Sequence, residues 1–161
     1  MKKKWRAGLS RTLGAHPVSM RTAPVVLVLD RTVRRITQGR EGILDVAGLP
    51  SLELTVAGRR SGIARTVSLL YVPTPQDRDT FLLIGSNWGR PRHPEWSANL
   101  ARADRAELHL SGARFEVTVR GLAGAERERA WARAVAFWPG YAMEQRLAGE
   151  RVFRLFELRR V

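Results

Sequence analysis

A short basic segment between two strand-like stretches has the residue types of an anion-binding turn. Gly58 and Gly62 bracket it, and glycine lets the backbone adopt positive φ angles and approach a ligand closely. The side chains around these glycines direct hydrogen-bond donors at one small volume, and they are Arg59, Arg60, Ser61 and Arg65. The pattern predicts a site for a phosphate or a carboxylate. The alternative is a solvent-exposed hairpin tip that is simply basic.

A second glycine-rich segment runs from a predicted strand into a predicted helix. Residues 85–94 read Gly-Ser-Asn-Trp-Gly-Arg-Pro-Arg-His-Pro. Backbone amides at such a passage can hydrogen-bond the edge of a planar heterocycle, while Trp88 could cover its face. If the segment is instead an ordinary surface loop, Arg90 and Arg92 face solvent and take no part in binding.

Length and charge suggest one domain with a basic leading tail. The chain has 161 residues, of which 44% are hydrophobic, and this is enough for a single core. The net charge is +13, and residues 1–40 contain ten Lys or Arg against Asp30 alone. We therefore expect a tail over residues 1–22 and one domain over residues 23–161. The tail is either disordered or in contact with a polyanion, and an anionic membrane surface is favoured over nucleic acid.

Several classes of protein are excluded by residue usage. The chain has no cysteine, which rules out disulfides, thiolate metal sites and thiol catalysis. The three histidines lack a metal-binding spacing, so no metal is expected. Arg21 interrupts the apolar core that a secretory signal would need, which predicts a cytoplasmic protein, peripheral to the inner face of the membrane if the tail binds lipid.

Hydrophobic periodicity predicts an α+β fold. Helices are expected at residues 22–39, 94–104 and 125–137, and strands at residues 52–56, 66–71, 81–84, 108–110, 115–119 and 152–158. Residues 73–77 contain two prolines and are predicted to be a loop. About six mostly antiparallel strands with three helices favour a small barrel over a parallel doubly wound sheet.

Three linked motifs resemble those of deazaflavin-dependent nitroreductases, which are split β-barrel oxidoreductases of actinobacteria related in fold to flavin-binding pyridoxamine oxidases. The motifs are residues 55–65, residues 85–89 and the helix start at residues 93–100, in this order and at the family's spacing. The likeness covers roughly residues 30–161. It implies a split β-barrel (FMN-binding split barrel-like) and a site for coenzyme F-420, an 8-hydroxy-5-deazaflavin with a phospholactyl oligoglutamate tail.

The resemblance also implies roles for individual residues in coenzyme binding. Arg60 and Arg65 would pair with the phosphate and carboxylates of the tail, and Ser61 would complete that contact with its neighbours Arg59 and Gly62. Ser86, Asn87 and Trp88 would line the ring, and Trp96 and Asn99 would support the loop that carries them. Many relatives have lysine where this chain has Arg60 or Asn87, and the loss of the second lysine predicts weaker binding of the tail.

The substrate side departs further from the family pattern. The expected pocket residues are Leu70, Trp138, Tyr141 and Glu144, and characterised nitro-reducing relatives have tyrosines at the positions of Leu70 and Glu144. Tyr141 is the remaining hydroxylated aromatic residue there and is a candidate proton or hydrogen-bond donor, as are Ser86 and solvent. Alternatively, Tyr141 is a tyrosine packed at the barrel rim.

The resulting functional prediction is hydride transfer from reduced coenzyme F-420 to a hydrophobic acceptor such as a quinone or a nitroaromatic compound. Two alternatives stay open. One is an FMN-dependent split-barrel oxidase or reductase, and the other is a non-catalytic basic domain that binds nucleic acid, although the chain has no recognisable motif for reading it. A homodimer is favoured because pairing covers exposed sheet edges.

Overall fold

Seven antiparallel strands form one curled sheet in the part of the chain that the computed structural model describes, residues 49–161. The helix predicted at residues 22–39 and the basic tail lie outside these residues. The strands are β1 (Ser51–Ala57), β2 (Ala64–Leu70), β3 (Val72–Thr74), β4 (Asp77–Ile84), β5 (Arg105–Leu110), β6 (Ala113–Gly121) and β7 (Leu155–Arg160). They lie in the order β2-β1-β5-β6-β7-β4-β3. The predicted split-barrel architecture is confirmed, with seven strands instead of six.

Three helices connect or cover the strands of this sheet. They are α1 (Glu95–Leu100), α2 (Gly124–Phe137) and α3 (Gly140–Leu147), and a single 3-10 turn spans Asn87–Gly89 before α1. No helix within residues 49–161 combines the length and the apolar character that crossing a bilayer requires.

The second half of β4, residues 81–84, is buried on both faces of the sheet and is continuously apolar. Phe81 and Leu83 contribute to one hydrophobic cluster together with residues of β1 and β5. Leu82 and Ile84 point the other way, into a second cluster that includes Ala130 of α2. Because successive side chains of a strand alternate between faces, a strand covered on both sides needs apolar residues at every position.

The predicted hairpin of β5 and β6 is confirmed, including its turn. Leu110 pairs with Ala113, and the two residues between them, Ser111 and Gly112, have φ angles of 53° and 82°. A two-residue turn with both φ values positive matches the right-handed twist of the strands that it joins.

The loop predicted over residues 73–77 is confirmed only at residues 75 and 76, which form the turn between β3 and β4. Pro73 lies in β3, which pairs with β4 at the edge of the sheet. A proline has no N–H to donate to a neighbouring strand, and an edge strand has one side on which this donor is not required. Pro73 therefore marks an edge strand, and Pro75 marks the turn that follows it.

The bounds of two helices and of the closing strand also differ from those predicted. A helix does break near Pro139 as expected, but α3 then begins at Gly140, because proline is well tolerated at the start of a helix. The helix that begins at Glu95 ends at Leu100 and not near residue 104. The closing strand begins at Leu155, three residues later than predicted.

Candidate active site

The tip of the hairpin between β1 and β2 encloses a cavity of about 350 Å³, called the cationic cavity below. Its lining consists of Gly58, Arg59, Arg60, Ser61, Arg65, Glu95 and Asn99. The Gly62 N–H donates a hydrogen bond of 2.8 Å to the carbonyl of Gly58, and Gly62 has a φ angle of 69°. A Cβ at Gly58 would lie 2.8 Å from the Ser61 hydroxyl oxygen. The two glycines thus permit the tight turn that gathers the predicted donors.

Arg59 connects this hairpin to α1. Its Nη1 atom lies 2.5 Å from Oε2 of Glu95 and 3.3 Å from Oδ1 of Asn99, and its backbone N–H donates to the same Asn99 oxygen at 3.1 Å. These contacts use the Arg59 side chain for packing one element against another. Asn99 was expected to support the second loop, and the structure places it here instead.

Arg60 and Arg65 are the two cations of the cavity that remain available. Both side chains are exposed, and neither makes an ion pair or hydrogen bond to another residue within the described range 49–161. An anion that enters the cavity therefore meets two guanidinium groups that do not have to leave another partner first.

Glu95 is a residue of this cavity that the sequence reasoning did not single out. The hydrogen bond and the charge of Arg59 lower the pKa of its carboxyl, and the charges of Arg60 and Arg65 add to the shift. Glu95 is consequently ionised at neutral pH and offsets part of the positive charge. The available signal was its spacing of four from Asn99, which places both residues on one face of a helix.

A second cavity of about 200 Å³, called the apolar cleft below, lies beside the first. It is lined by Val67, Leu69, Leu70, Ile84, Ser86, Asn87, Trp88, Pro94, Trp96, Tyr141 and Glu144. The residues predicted to line a ring and most of those predicted to contact a substrate therefore come together in one place. Small-molecule pockets usually measure about 300–1,000 Å³, so a ligand of ordinary size would extend beyond this cleft.

Two elements contribute side chains to both cavities. Along β2, Arg65 lines the cationic cavity while Val67 and Leu69 line the apolar cleft, and these alternate residues share one face of the strand. On α1, Asn99 lines the first cavity and Trp96 lines the second. One elongated ligand can therefore place a charged end among the arginines and a flat apolar end in the cleft.

The loop of residues 85–90, called the cleft loop below, has an unusual backbone. Asn87 and Trp88 have φ angles of 50° and 55°, in the left-handed region that non-glycine residues seldom adopt, and Gly89 follows at 69°. The Asn87 side chain donates a hydrogen bond of 2.8 Å to the carbonyl of Arg92. Such conformations persist only where surrounding contacts hold them, and they concentrate at ligand sites.

Arg151 supplies these contacts. Its guanidinium donates to the backbone carbonyls of Gly85, Ser86 and Arg90 at 3.0, 2.6 and 2.9 Å. The sequence reasoning missed this residue, since nothing in the local sequence around position 151 indicates contacts with a loop more than sixty positions earlier.

The floor of the cleft carries two ionisable side chains from α3. Glu144 is only 3% exposed, and burial raises its pKa to about 7, although hydrogen bonding from Ser86, the charge of Arg151 and the Trp88 amide act in the opposite direction. One carboxyl oxygen, Oε2, is buried without a hydrogen-bond partner. Burial and the charge of Glu144 together raise the pKa of Tyr141 well above its usual value.

Trp138 is the predicted substrate residue that the structure does not bring to the cleft. It is 6% exposed and belongs to the hydrophobic cluster beneath α2. Its indole packs against the backbone of Gly140, where a Cβ would lie 2.4 Å from the ring nitrogen.

Comparison with known proteins identifies the family of this chain. The sequence model of the family described as F420H(2)-dependent quinone reductase matches residues 27–152. The chain belongs to this family. Membership in the quinone reductase family agrees with the resemblance that the three motifs indicate.

Curated and solved proteins give a consistent result. An F420H(2)-dependent quinone reductase of Mycobacterium tuberculosis is 35% identical over 95 residues, which are 59% of this chain and 62% of the relative. The alignment thus spans less than two thirds of the relative's own length. The solved structure of an F420-H2 dependent reductase (FDR-A) superposes with a TM-score of 0.59 at 29% identity, covering 68% of this chain and 93% of that one. A second structure, described as a domain-swapped dimer, has a TM-score of 0.61 at 27% identity and covers 80% and 94% of the two chains.

Proposed function

We propose that this protein transfers a hydride from reduced coenzyme F-420 to a hydrophobic electrophilic acceptor such as a quinone or a nitroaromatic compound. The observation that carries the proposal is the position of Arg60 and Arg65, which have no ion-pair partner within residues 49–161, in a cavity that shares β2 and α1 with the apolar cleft. Family membership and the names of the relatives support the same coenzyme and acceptor class, and those names refer to F420H(2) rather than to FMN.

The residues present fit the chemical groups of that coenzyme. Arg60 and Arg65 would hold the phosphate and the carboxylates of its tail, together with the Ser61 hydroxyl and the turn amides around Gly62. The flat ring would lie in the apolar cleft, whose lining includes Trp88 and Trp96, and backbone groups of the cleft loop would hydrogen-bond its polar edge. Bound there, the reduced deazaflavin would supply two electrons as a hydride.

The chain itself has to orient the acceptor and exclude water. Leu70, Val67 and Leu69 give one wall of the cleft an apolar surface suited to a flat ring. Tyr141 and Ser86 would donate hydrogen bonds to an acceptor oxygen as it acquires negative charge, and such hydrogen bonds lower the barrier. Holding two rings in contact accounts for much of the rate in a reaction of this kind.

The experiment that tests the proposal is a titration of the purified protein with reduced and oxidised coenzyme F-420. We expect binding by the wild type and a loss of roughly tenfold or more in affinity for Arg60→Ala combined with Arg65→Ala, because charge-assisted hydrogen bonds contribute about 1.5–3 kcal/mol each. The matched control combines Arg78→Ala with Arg146→Ala, two exposed arginines outside both cavities. Equal losses in both double variants would indicate a general charge effect. Unchanged binding by the variant that lacks Arg60 and Arg65 would show that the coenzyme binds at another site.

We also propose that residues 1–40 bring the protein to an anionic membrane surface, at the inner face of the cytoplasmic membrane. Their charge, ten Lys or Arg against one Asp, supports this contact. The division into a tail over residues 1–22 and a domain over residues 23–161 stays a prediction. Deleting residues 1–20, which hold five of these ten cations, should weaken association with anionic vesicles, and neither form should bind neutral vesicles. Unchanged association would rule out this role.

A homodimer is a further part of the proposal. The described residues leave β2 and β3 as the two edges of the sheet, and the relative described as a domain-swapped dimer supports self-association in this fold. Sedimentation equilibrium should give twice the mass of the 18.1 kDa chain. The mass of one chain over the whole concentration range would exclude a dimer.

A further inference from the structure

We infer that the carboxyl group of Glu144 donates the proton that completes reduction of the acceptor in the apolar cleft, an inference that rests on the hydride transfer proposed above. For a quinone, the two electrons arrive with the hydride and produce a hydroquinone monoanion. The O–H bond of the Glu144 carboxyl then breaks and an O–H bond forms on the anionic oxygen. Glu144 is left as a carboxylate, which regains a proton from water at the mouth of the cleft.

The position of Glu144 is the first argument. It lies on α3 and lines the cleft together with Ser86 and Tyr141, and only 3% of it is exposed. Its Oε2 atom is buried and has no hydrogen-bond partner among residues 49–161. Buried polar atoms in folded proteins nearly always have a partner, so an orphan atom at the wall of a cleft indicates a group that a ligand would satisfy. An acceptor oxygen in the cleft is such a group.

The charged and polar groups that face Glu144 are the second argument. They are Tyr141 on the same helix, Ser86 and the Trp88 amide in the cleft loop, and Arg151 after α3. Arg151 is the one cation among these, and its Nε, Nη1 and Nη2 atoms each donate a hydrogen bond to a backbone carbonyl and none to Glu144. Within the described residues, no cation lies within ion-pair distance of Glu144. A buried carboxylate that is so weakly compensated tends to keep its proton.

The acidity of the competing donors is the third argument. Burial sets the pKa of Glu144 at about 7, and a general acid works best when its pKa is close to the pH at which it operates. Burial and the Glu144 charge instead raise the pKa of Tyr141 above its ordinary value. Tyr141 can therefore orient an acceptor through a hydrogen bond, but it releases its proton much less readily than Glu144 does.

Glu144→Gln separates these roles because the amide keeps the shape of the side chain and removes the acid. In single-turnover oxidation of the reduced coenzyme by a soluble quinone, we expect the wild-type rate to fall as pH rises through about 7. We expect the variant to react about 10²-fold more slowly at pH 6 and without that dependence on pH. Its affinity for the reduced coenzyme should match that of the wild type. The control is Glu150→Gln, an exposed carboxylate outside the cleft, which should behave as the wild type in every assay.

A second readout needs neither coenzyme nor turnover. In the coenzyme-free wild type, 13C NMR of the glutamate carboxyl carbons should show one group that titrates near pH 7, and Glu144→Gln should remove that signal alone. Glu144→Asp keeps the acid but shortens its reach by one methylene, so an intermediate rate with a retained pH dependence is expected. This variant also serves if the amide variant does not fold.

The outcomes separate the two proposals. If the wild type binds reduced coenzyme and reduces the quinone, and Glu144→Gln does so at the same rate with the same pH profile, the proton-donor role is overturned and hydride transfer stands. Titration of Glu144 near the ordinary glutamate pKa overturns it as well. If the wild type neither binds the coenzyme nor reduces the quinone, hydride transfer itself fails, and the proton-donor role fails with it.

Discussion

The Arg151 guanidinium donates a hydrogen bond of 2.6 Å to the backbone carbonyl of Ser86, which lies 65 positions earlier in the chain. The same side chain reaches Gly85 and Arg90. Arg151, which lies in the segment between α3 and β7, thereby holds both ends of the cleft loop, whose central residues have positive φ angles. The shape of the apolar cleft consequently depends on a contact between the last part of the domain and its middle.

Arg151→Lys should weaken this connection. Lysine keeps the positive charge but lacks the planar fork that reaches three carbonyls, so we expect the free energy of unfolding to fall by about 2 kcal/mol. Urea denaturation followed by tryptophan fluorescence measures the change. Arg146→Lys, at an exposed position on α3, is the control and should change stability by less than about 0.5 kcal/mol. Similar effects of the two substitutions would contradict a special role for Arg151.

Gly89→Ala should destabilise the protein for two separate reasons. Gly89 has a φ angle of 69°, and an added Cβ would lie 2.7 Å from the carbonyl oxygen of Glu144 and 2.8 Å from Cβ of Leu147. Gly149 has a similar φ angle of 64° but open space around it, so Gly149→Ala isolates the backbone cost, about 1–2 kcal/mol. We expect Gly89→Ala to cost about 1–3 kcal/mol more because of overpacking. Chemical denaturation of both variants gives this difference, and equal losses would mean that α3 moves away freely.

The stability of the protein should depend on pH through Glu144. Its pKa is raised in the folded state to about 7 from 4.5, so the folded protein binds more protons than the unfolded chain between these values. The contribution is therefore complete below about pH 4.5 and is lost as the pH rises to about 7, an amount on the order of 3 kcal/mol. His93, whose pKa burial lowers, acts in the opposite direction, so the comparison must be made against a variant. The difference in unfolding free energy between the wild type and Glu144→Gln, measured from pH 4 to 8, should vary by this amount, and a constant difference would refute the prediction.

Glu95→Gln should increase affinity for the anionic coenzyme tail. The substitution removes a negative charge from the cationic cavity and releases Arg59 from its partner at 2.5 Å, while the neutral amide still fits the space. We expect affinity for reduced coenzyme F-420 to rise about two- to fivefold at low salt, and the gain to shrink as salt screens the exposed charges. Isothermal titration calorimetry at two ionic strengths measures this. Glu128→Gln removes an exposed charge far along the chain on α2, and an equal gain there would show that only net charge matters.

Much of the fold followed from local patterns. The alternation of residues 52–56 and 66–71 marked β1 and β2 correctly, and Ser111-Gly112 marked the β5–β6 turn. Where the prediction failed, at Pro73 in β3 and at Gly140 in α3, the residue type suits two environments. Proline serves both a loop and an edge strand, and both a helix break and the start of the next helix. Only the position of each segment in the sheet or beside α2 decides between them.

The candidate site likewise has one part that local sequence determines and another that depends on tertiary packing. Arg59, Arg60, Ser61 and Arg65 are neighbours along the chain in a glycine-bracketed turn, so their convergence is a local property that the sequence by itself determined. The separate uses of these arginines depend on α1, because Glu95 and Asn99 engage Arg59 and leave Arg60 and Arg65 available. The proximity of the cationic cavity to the apolar cleft, the hold of Arg151 on the cleft loop and the raised pKa of Glu144 were decided by the tertiary structure alone. Each of these depends on burial and on distances between segments far apart in sequence, and desolvation acts on a side chain only after those segments have packed together.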